Sequence, residues 1–101
     1  LIIDIGRWVL EASFATYRRW LDQLPVAPGE LAINVSSRQF RAEHFADEVE
    51  HLVHSYRIPP RSLVFELTES TVIEDVDAAI GIMERLRRIG VLFALDDFGV
   101  G

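Results

Sequence analysis

Three apolar runs, Leu31 to Val35, Leu63 to Leu67 and Val91 to Leu95, recur along this 101-residue chain, each preceded by a stretch with helical spacing. A polar residue stands at or near the C-terminal end of each run. These residues, Asn34, Glu66 and Asp96, are 32 and 30 residues apart, close to one strand-helix unit of roughly 30 residues. Alternation along a strand places Leu31, Ile33 and Val35, then Leu63, Phe65 and Leu67, then Val91, Phe93 and Leu95 on one face, beneath covering helices. Asn34, Glu66 and Asp96 fall on the other. Helix-strand order with short connections favours an α/β fold with a parallel sheet. In a barrel built from such units the second face is the interior, and its C-terminal rim is where sites form from several strand ends.

The intervening segments read as helices. Ile5, Trp8, Val9, Ala12 and Trp20 lie near helical spacing in a first helix running to about Leu24, with Arg18, Arg19 and Asp22 left to solvent. On that reading Trp8 and Trp20 pack against the sheet. Pro25 and Pro28-Gly29 break the pattern. Phe45, Val49, Leu52, Val53 and Tyr56 form a second helix that Pro59-Pro60 stops. Ala79, Ile82, Met83, Leu86 and Ile89 form a third. Asp75 or Asp77 can cap its start, Arg85, Arg87 and Arg88 suit its C-terminal dipole or a dimer contact, and Gly90 suits its end.

Charge and cysteine usage narrow the function classes. Ten basic residues against sixteen acidic ones give a net charge of -6, which disfavours a broad grip on a DNA or RNA polymer. With no cysteine there is no disulfide framework or thiolate metal site, and a reducing, cytoplasmic setting is compatible. Asp4 and Arg7 interrupt the apolar Leu1-Ile2-Ile3 before a membrane span could be completed.

Asp96-Asp97-Phe98-Gly99 places two carboxylates side by side at a strand end, where unpaired negative charge is costly and a cation is wanted. With Glu66 and the neutral oxygen of Asn34 they make an oxygen-rich set suited to Mg²⁺ or Mn²⁺. Two such ions can polarise a phosphate and activate water in a phosphodiester displacement. Each residue has a plainer reading. Asp97 can cap a turn, Asn34 can bond a neighbouring strand, and Glu69 can sit in a polar turn that caps the next helix. Glu66, flanked by Phe65 and Leu67, is poorly explained as a solvated surface residue. His51 and His54 share a helical face but are read as surface residues.

Four strings in order, Ile5-Gly6-x-Trp8-Val9-Leu10, Ile33-Asn34-Val35-Ser36 with Gln39-Phe40, Glu66-Leu67-Thr68-Glu69-Ser70 and Ala94 to Gly99, resemble the motifs of EAL domains over nearly the whole chain. The resemblance implies a partial TIM-type (β/α)8 barrel of about three parallel strands, from an enzyme that hydrolyses cyclic-di-GMP to linear pGpG with two Mg²⁺ or Mn²⁺ ions. By position Asn34, Glu66 and Asp96 look like metal ligands and Asp97 like the ligand of the second ion. Glu66, Asp96 and Asp97 would then act through activation of water. Glu69 resembles the glutamate that positions the loop after the acidic pair. Ser36 and Gln39 lie in a matching segment without an assigned role.

Residues 1–101 would thus be the central part of an EAL domain, truncated at both ends, and inactive alone. The Glu-Ala-Leu segment would precede Leu1, and a lysine and further acidic and amide residues would follow Gly101. Val100 stands where the loop commonly has threonine. Competing readings are a degenerate EAL domain acting as a non-hydrolytic cyclic-di-GMP receptor or protein-interaction module, a receiver-like doubly wound domain, and, more weakly, a kinase. An open three-stranded piece should carry exposed edges that invite dimerisation. A parent chain could also carry diguanylate-cyclase, sensory or membrane segments.

Overall fold

Alternation builds the sheet as expected. The structure is a computed structural model that describes the backbone of residues 2–26 and 28–96 and the side chains of residues 6–26 and 28–95. Strands β1 (Leu31–Asn34), β2 (Leu63–Thr68) and β3 (Leu92–Asp96) lie side by side in the order β1-β2-β3, both pairs parallel. Helix α1 (Ile2–Gln23) precedes β1. Helices α2 (Ser37–Phe40) and α3 (Phe45–Ser55) lie between β1 and β2, and α4 (Glu69–Glu74) and α5 (Val76–Arg88) between β2 and β3. The short helices α2 and α4 were not anticipated from periodicity.

Leu63, Phe65 and Leu67 are fully buried under the helices, and Ile33 and Val35 of the first run are buried there too. An aromatic row crosses this layer. Phe40 meets Phe45 and Phe45 meets Phe65 at 5.7 Å between ring centroids, and Phe65 meets Phe93 at 5.9 Å, within the usual range for tilted pairs. Leu95 departs from the expected pattern: it shares the helix-side row with Leu67 yet is 54% exposed. Among the described residues β3 is an edge strand, and the helix layer does not cover its end.

Helix α1 turns a different face inward from the one expected. Leu10, Phe14 and Tyr17 are buried and Leu21 packs against them, whereas Trp8 and Trp20 are 70% and 47% exposed. Both rows have spacings of three and four, so periodicity fits either. Tertiary contacts decide between them. The Tyr17 hydroxyl donates to the Gly29 carbonyl at 2.6 Å, and Tyr56 Oη donates to Glu11. Trp8 and Trp20 instead line an open groove of about 300 Å³ beside Leu31. Arg18 is also not left to solvent. Its guanidinium donates to the Tyr56 and Arg57 carbonyls at the end of α3 and to Asp22, a favourable place for a cation at a helix C-terminus.

Arg85 does more than decorate the end of α5. It grips Glu50 of α3 through two bonds of 2.9 and 2.7 Å and also pairs with Asp47. The hydrogen bond from Arg85, with a second from His44, holds the Asp47 carboxyl below its usual range. The same two carboxylates raise the Arg85 pKa above the ordinary arginine value. Arg87 and Arg88 are exposed.

Gly90 ends α5 with a positive φ of 111°, and a Cβ there would approach the Pro60 Cβ to 3.1 Å. Gly90→Ala is therefore expected to cost about 1 to 3 kcal/mol, read as a lower urea midpoint of the full-length protein. An unchanged midpoint would contradict the left-handed turn.

No described helix is long and apolar enough to cross a membrane.

Candidate metal centre

The candidate site lies where β1 and β2 end. Asn34 and Glu66 are register partners, so their Cα atoms are about 4.8 Å apart on neighbouring strands. Both occupy the face opposite the helix layer: Asn34 is exposed and Glu66 half-buried between the fully buried Phe65 and Leu67. The ladder continues one residue past β1, where Val35 N donates to the Glu66 carbonyl at 3.1 Å. This bond holds the backbone on which both candidate ligands sit.

Caps bring each chain reversal to this rim. Ser36 Oγ accepts from Gln39 N at 3.1 Å and starts α2, and Gln39 Nε2 donates to the Gly6 carbonyl of α1 at 3.1 Å. Thr68 ends β2 and caps α4 by accepting from Thr71 N at 3.3 Å. Asp75, one of the two candidates for the role, caps α5 through Ala78 N at 3.2 Å. Ser36 and Gln39 thus have roles in the backbone of the turn. Sequence reasoning left them unassigned, although a serine three residues before a polar side chain is itself a capping signal.

The remaining candidates are distributed as follows. Asp96 closes β3 with Thr68 as its register partner, while Glu66 pairs with Ala94. The Asp96 position therefore belongs to the row of Ala94, two residues nearer the C-terminal rim. Glu69 is the first residue of α4 and is exposed. Asp97, Phe98, Gly99 and Val100 lie outside the described residues. His51 and His54 are exposed on α3, as expected of surface residues.

Among the described residues no three His, Asp or Glu side chains form a group that could hold a metal ion. The described part of the candidate set is one amide and one carboxylate, and among the described residues neither Asn34 nor Glu66 makes a side-chain hydrogen bond or ion pair. An oxygen-only pair at adjacent strand ends suits a hard divalent cation. The donors fit such an ion, as part of a larger ligand set.

Parallel strands with helices on one face and candidate oxygen donors at adjacent strand ends fit a portion of a (β/α) barrel, a fold whose sites form at the C-terminal rim. The chain belongs to the EAL domain family, whose profile matches residues 1–101. It is 39% identical over 101 residues to the bifunctional diguanylate cyclase/cyclic di-GMP phosphodiesterase MucR of Pseudomonas aeruginosa, covering all of this chain and 15% of MucR. It is 35% identical over 101 residues to the cyclic di-GMP phosphodiesterase PA2567 of the same organism, covering 17% of that protein. Among solved structures, the MucR phosphodiesterase in complex with cyclic-di-GMP superposes with a TM-score of 0.86 at 37% identity, over the whole of this chain and 43% of that one. The EAL domain of Mycobacterium smegmatis DcpA superposes with a TM-score of 0.88 at 34% identity, over 45% of its chain. The chain thus spans less than half of these solved chains and about a sixth of the curated relatives. Its three parallel strands and helices correspond to part of the barrel.

Proposed function

We propose that this chain is the central part of a phosphodiesterase domain that hydrolyses cyclic-di-GMP to linear pGpG. The observation that carries the reading is the Asn34–Glu66 rung at parallel strand ends, in a family whose relatives include proteins named as cyclic-di-GMP phosphodiesterases. Asn34, Glu66 and Asp96 would hold Mg²⁺ or Mn²⁺, with Asp97 completing the place of a second ion. When bound, the ions supply Lewis-acid polarisation of the phosphodiester and a lowered pKa for attacking water.

The chain's own residues set the conditions for this chemistry. Glu66 brings a negative charge held half-buried by Phe65 and Leu67, so its charge is weakly screened and attracts a cation. Asn34 contributes an oxygen without adding charge, which limits repulsion of an anionic substrate by a chain of net charge -6. Glu69, at the first position of a helix capped by Thr68, would orient the loop that begins with Phe98 and Gly99. The 101 residues alone would bind and hydrolyse little, because these donors lie on an open sheet face.

The test is hydrolysis by the full-length protein. Cyclic-di-GMP should be converted to pGpG, chelation should abolish the product, and added Mg²⁺ or Mn²⁺ should restore it, followed by chromatography. Turnover unaffected by chelation would overturn the metal site. Binding of cyclic-di-GMP without turnover under all metal conditions would favour the receptor alternative.

A further inference from the structure

Four hydroxyls stand in a row at the rim. Ser70 Oγ lies 3.0 Å from Thr68 Oγ1, Thr68 Oγ1 lies 3.0 Å from Thr71 Oγ1, and Thr71 Oγ1 lies 2.6 Å from Ser37 Oγ. Thr71 is 1% exposed, whereas Ser37 and Thr68 are half-buried. Capping of α4 accounts for the bond from Thr71 N to Thr68, but it places no demand on Ser37. Ser37 is 34 residues earlier, at the first position of α2. Its bond to Thr71 joins the turn after β1 to the turn after β2, and its length is at the tight end for two hydroxyls. Each hydroxyl has one proton and two lone pairs, so the row can be bonded head to tail, with each bond polarising the next. The Ser37 end lies three residues beyond Asn34, and the Thr68 end lies two beyond Glu66 and just before Glu69.

We propose that the Ser37–Thr71–Thr68 hydroxyl chain is a positioning strut, fixing the separation of the Asn34 and Glu66 strand ends and the start of α4. The proposal rests on the metal-site reading above. Thr71 and Ser37 touch neither ion nor substrate on this view and act through the backbone of the two turns.

The test uses the full-length protein with Mn²⁺ alone as probe, and the variants Thr71→Val, Ser37→Ala, both together, and Thr71→Ser. Thr71→Val keeps the side-chain shape and removes the hydroxyl. Each single hydroxyl deletion should weaken Mn²⁺ binding by about 10-fold, the low end for groups that support ligands indirectly. The double variant should lose no more than Thr71→Val alone, because that substitution already removes the bond to Ser37, and Thr71→Ser should restore affinity. Amide exchange at residues 36–40 should quicken in Thr71→Val, a response across the strut that local loss of the α4 cap would not produce. If Thr71→Val fails to fold, Ser37→Ala at its partly exposed position carries the test. Deletion variants with wild-type Mn²⁺ affinity and unchanged exchange would overturn the strut alone. A wild type that binds Mn²⁺ but leaves cyclic-di-GMP intact would overturn the phosphodiesterase reading alone, and one without Mn²⁺ affinity would overturn both.

Discussion

Glu66→Gln in the full-length protein should lower cyclic-di-GMP turnover by more than about 100-fold while leaving the urea midpoint nearly unchanged. The substitution conserves shape and removes one negative charge from a position that is only half-buried, and that has no ion-pair partner among the described residues. Little folding energy is therefore at stake. The ligand set loses its carboxylate next to Asn34, and even changes behind the ligands typically cost about 10- to 100-fold. Raising Mn²⁺ should recover part of the loss, because the defect is one of ion binding. Turnover within a few-fold of wild type at limiting metal would show that Glu66 is a structural residue of β2 and that the site lies elsewhere. Equal loss of turnover and of stability would assign it a folding role.

The reading of Glu66 came from the sequence because two independent signals agreed there. Apolar neighbours at Phe65 and Leu67 made the position a strand interior, and the spacing from Asn34 made it the equivalent place in a second unit. Parallel pairing then aligns the two residues. The strand starts at Leu31 and Leu63 were legible for the same reason, and β3 begins one residue later than expected, at Leu92. Helix α1 was harder to read. Its two apolar rows obey the same period, and only long-range partners such as Gly29 for Tyr17 select between them. Helices α2 and α4 span four and six residues, too few for a periodic signal, and they exist because Ser36 and Thr68 cap them. Arg85 was legible as a helix-end cation, but its partners Asp47 and Glu50 are 38 and 35 residues away, beyond any local pattern. The hydroxyl chain was hidden in the same way. Thr71 reads as an ordinary helix residue until Ser37 is brought beside it.

The second large effect concerns the other face of the same strand. Phe65→Ala should destabilise the full-length protein by about 3 to 5 kcal/mol, the usual range for a buried phenylalanine, seen as a lower urea midpoint with an unchanged slope. Phe65 is fully buried at the centre of the aromatic row, with Phe45 on the helix side and Phe93 on the next strand. Its removal opens a cavity that neither neighbour fills without leaving its own contact. Phe65→Leu should recover most of the loss, since volume rather than aromaticity sets the larger share. The result bears on function because strand residues alternate: only if Phe65 points into the helix layer does Glu66 point to the open face. A cost below about 1 kcal/mol would mean that Phe65 is not packed there, and the rung formed by Asn34 and Glu66 would then face the helices, where no substrate could reach it.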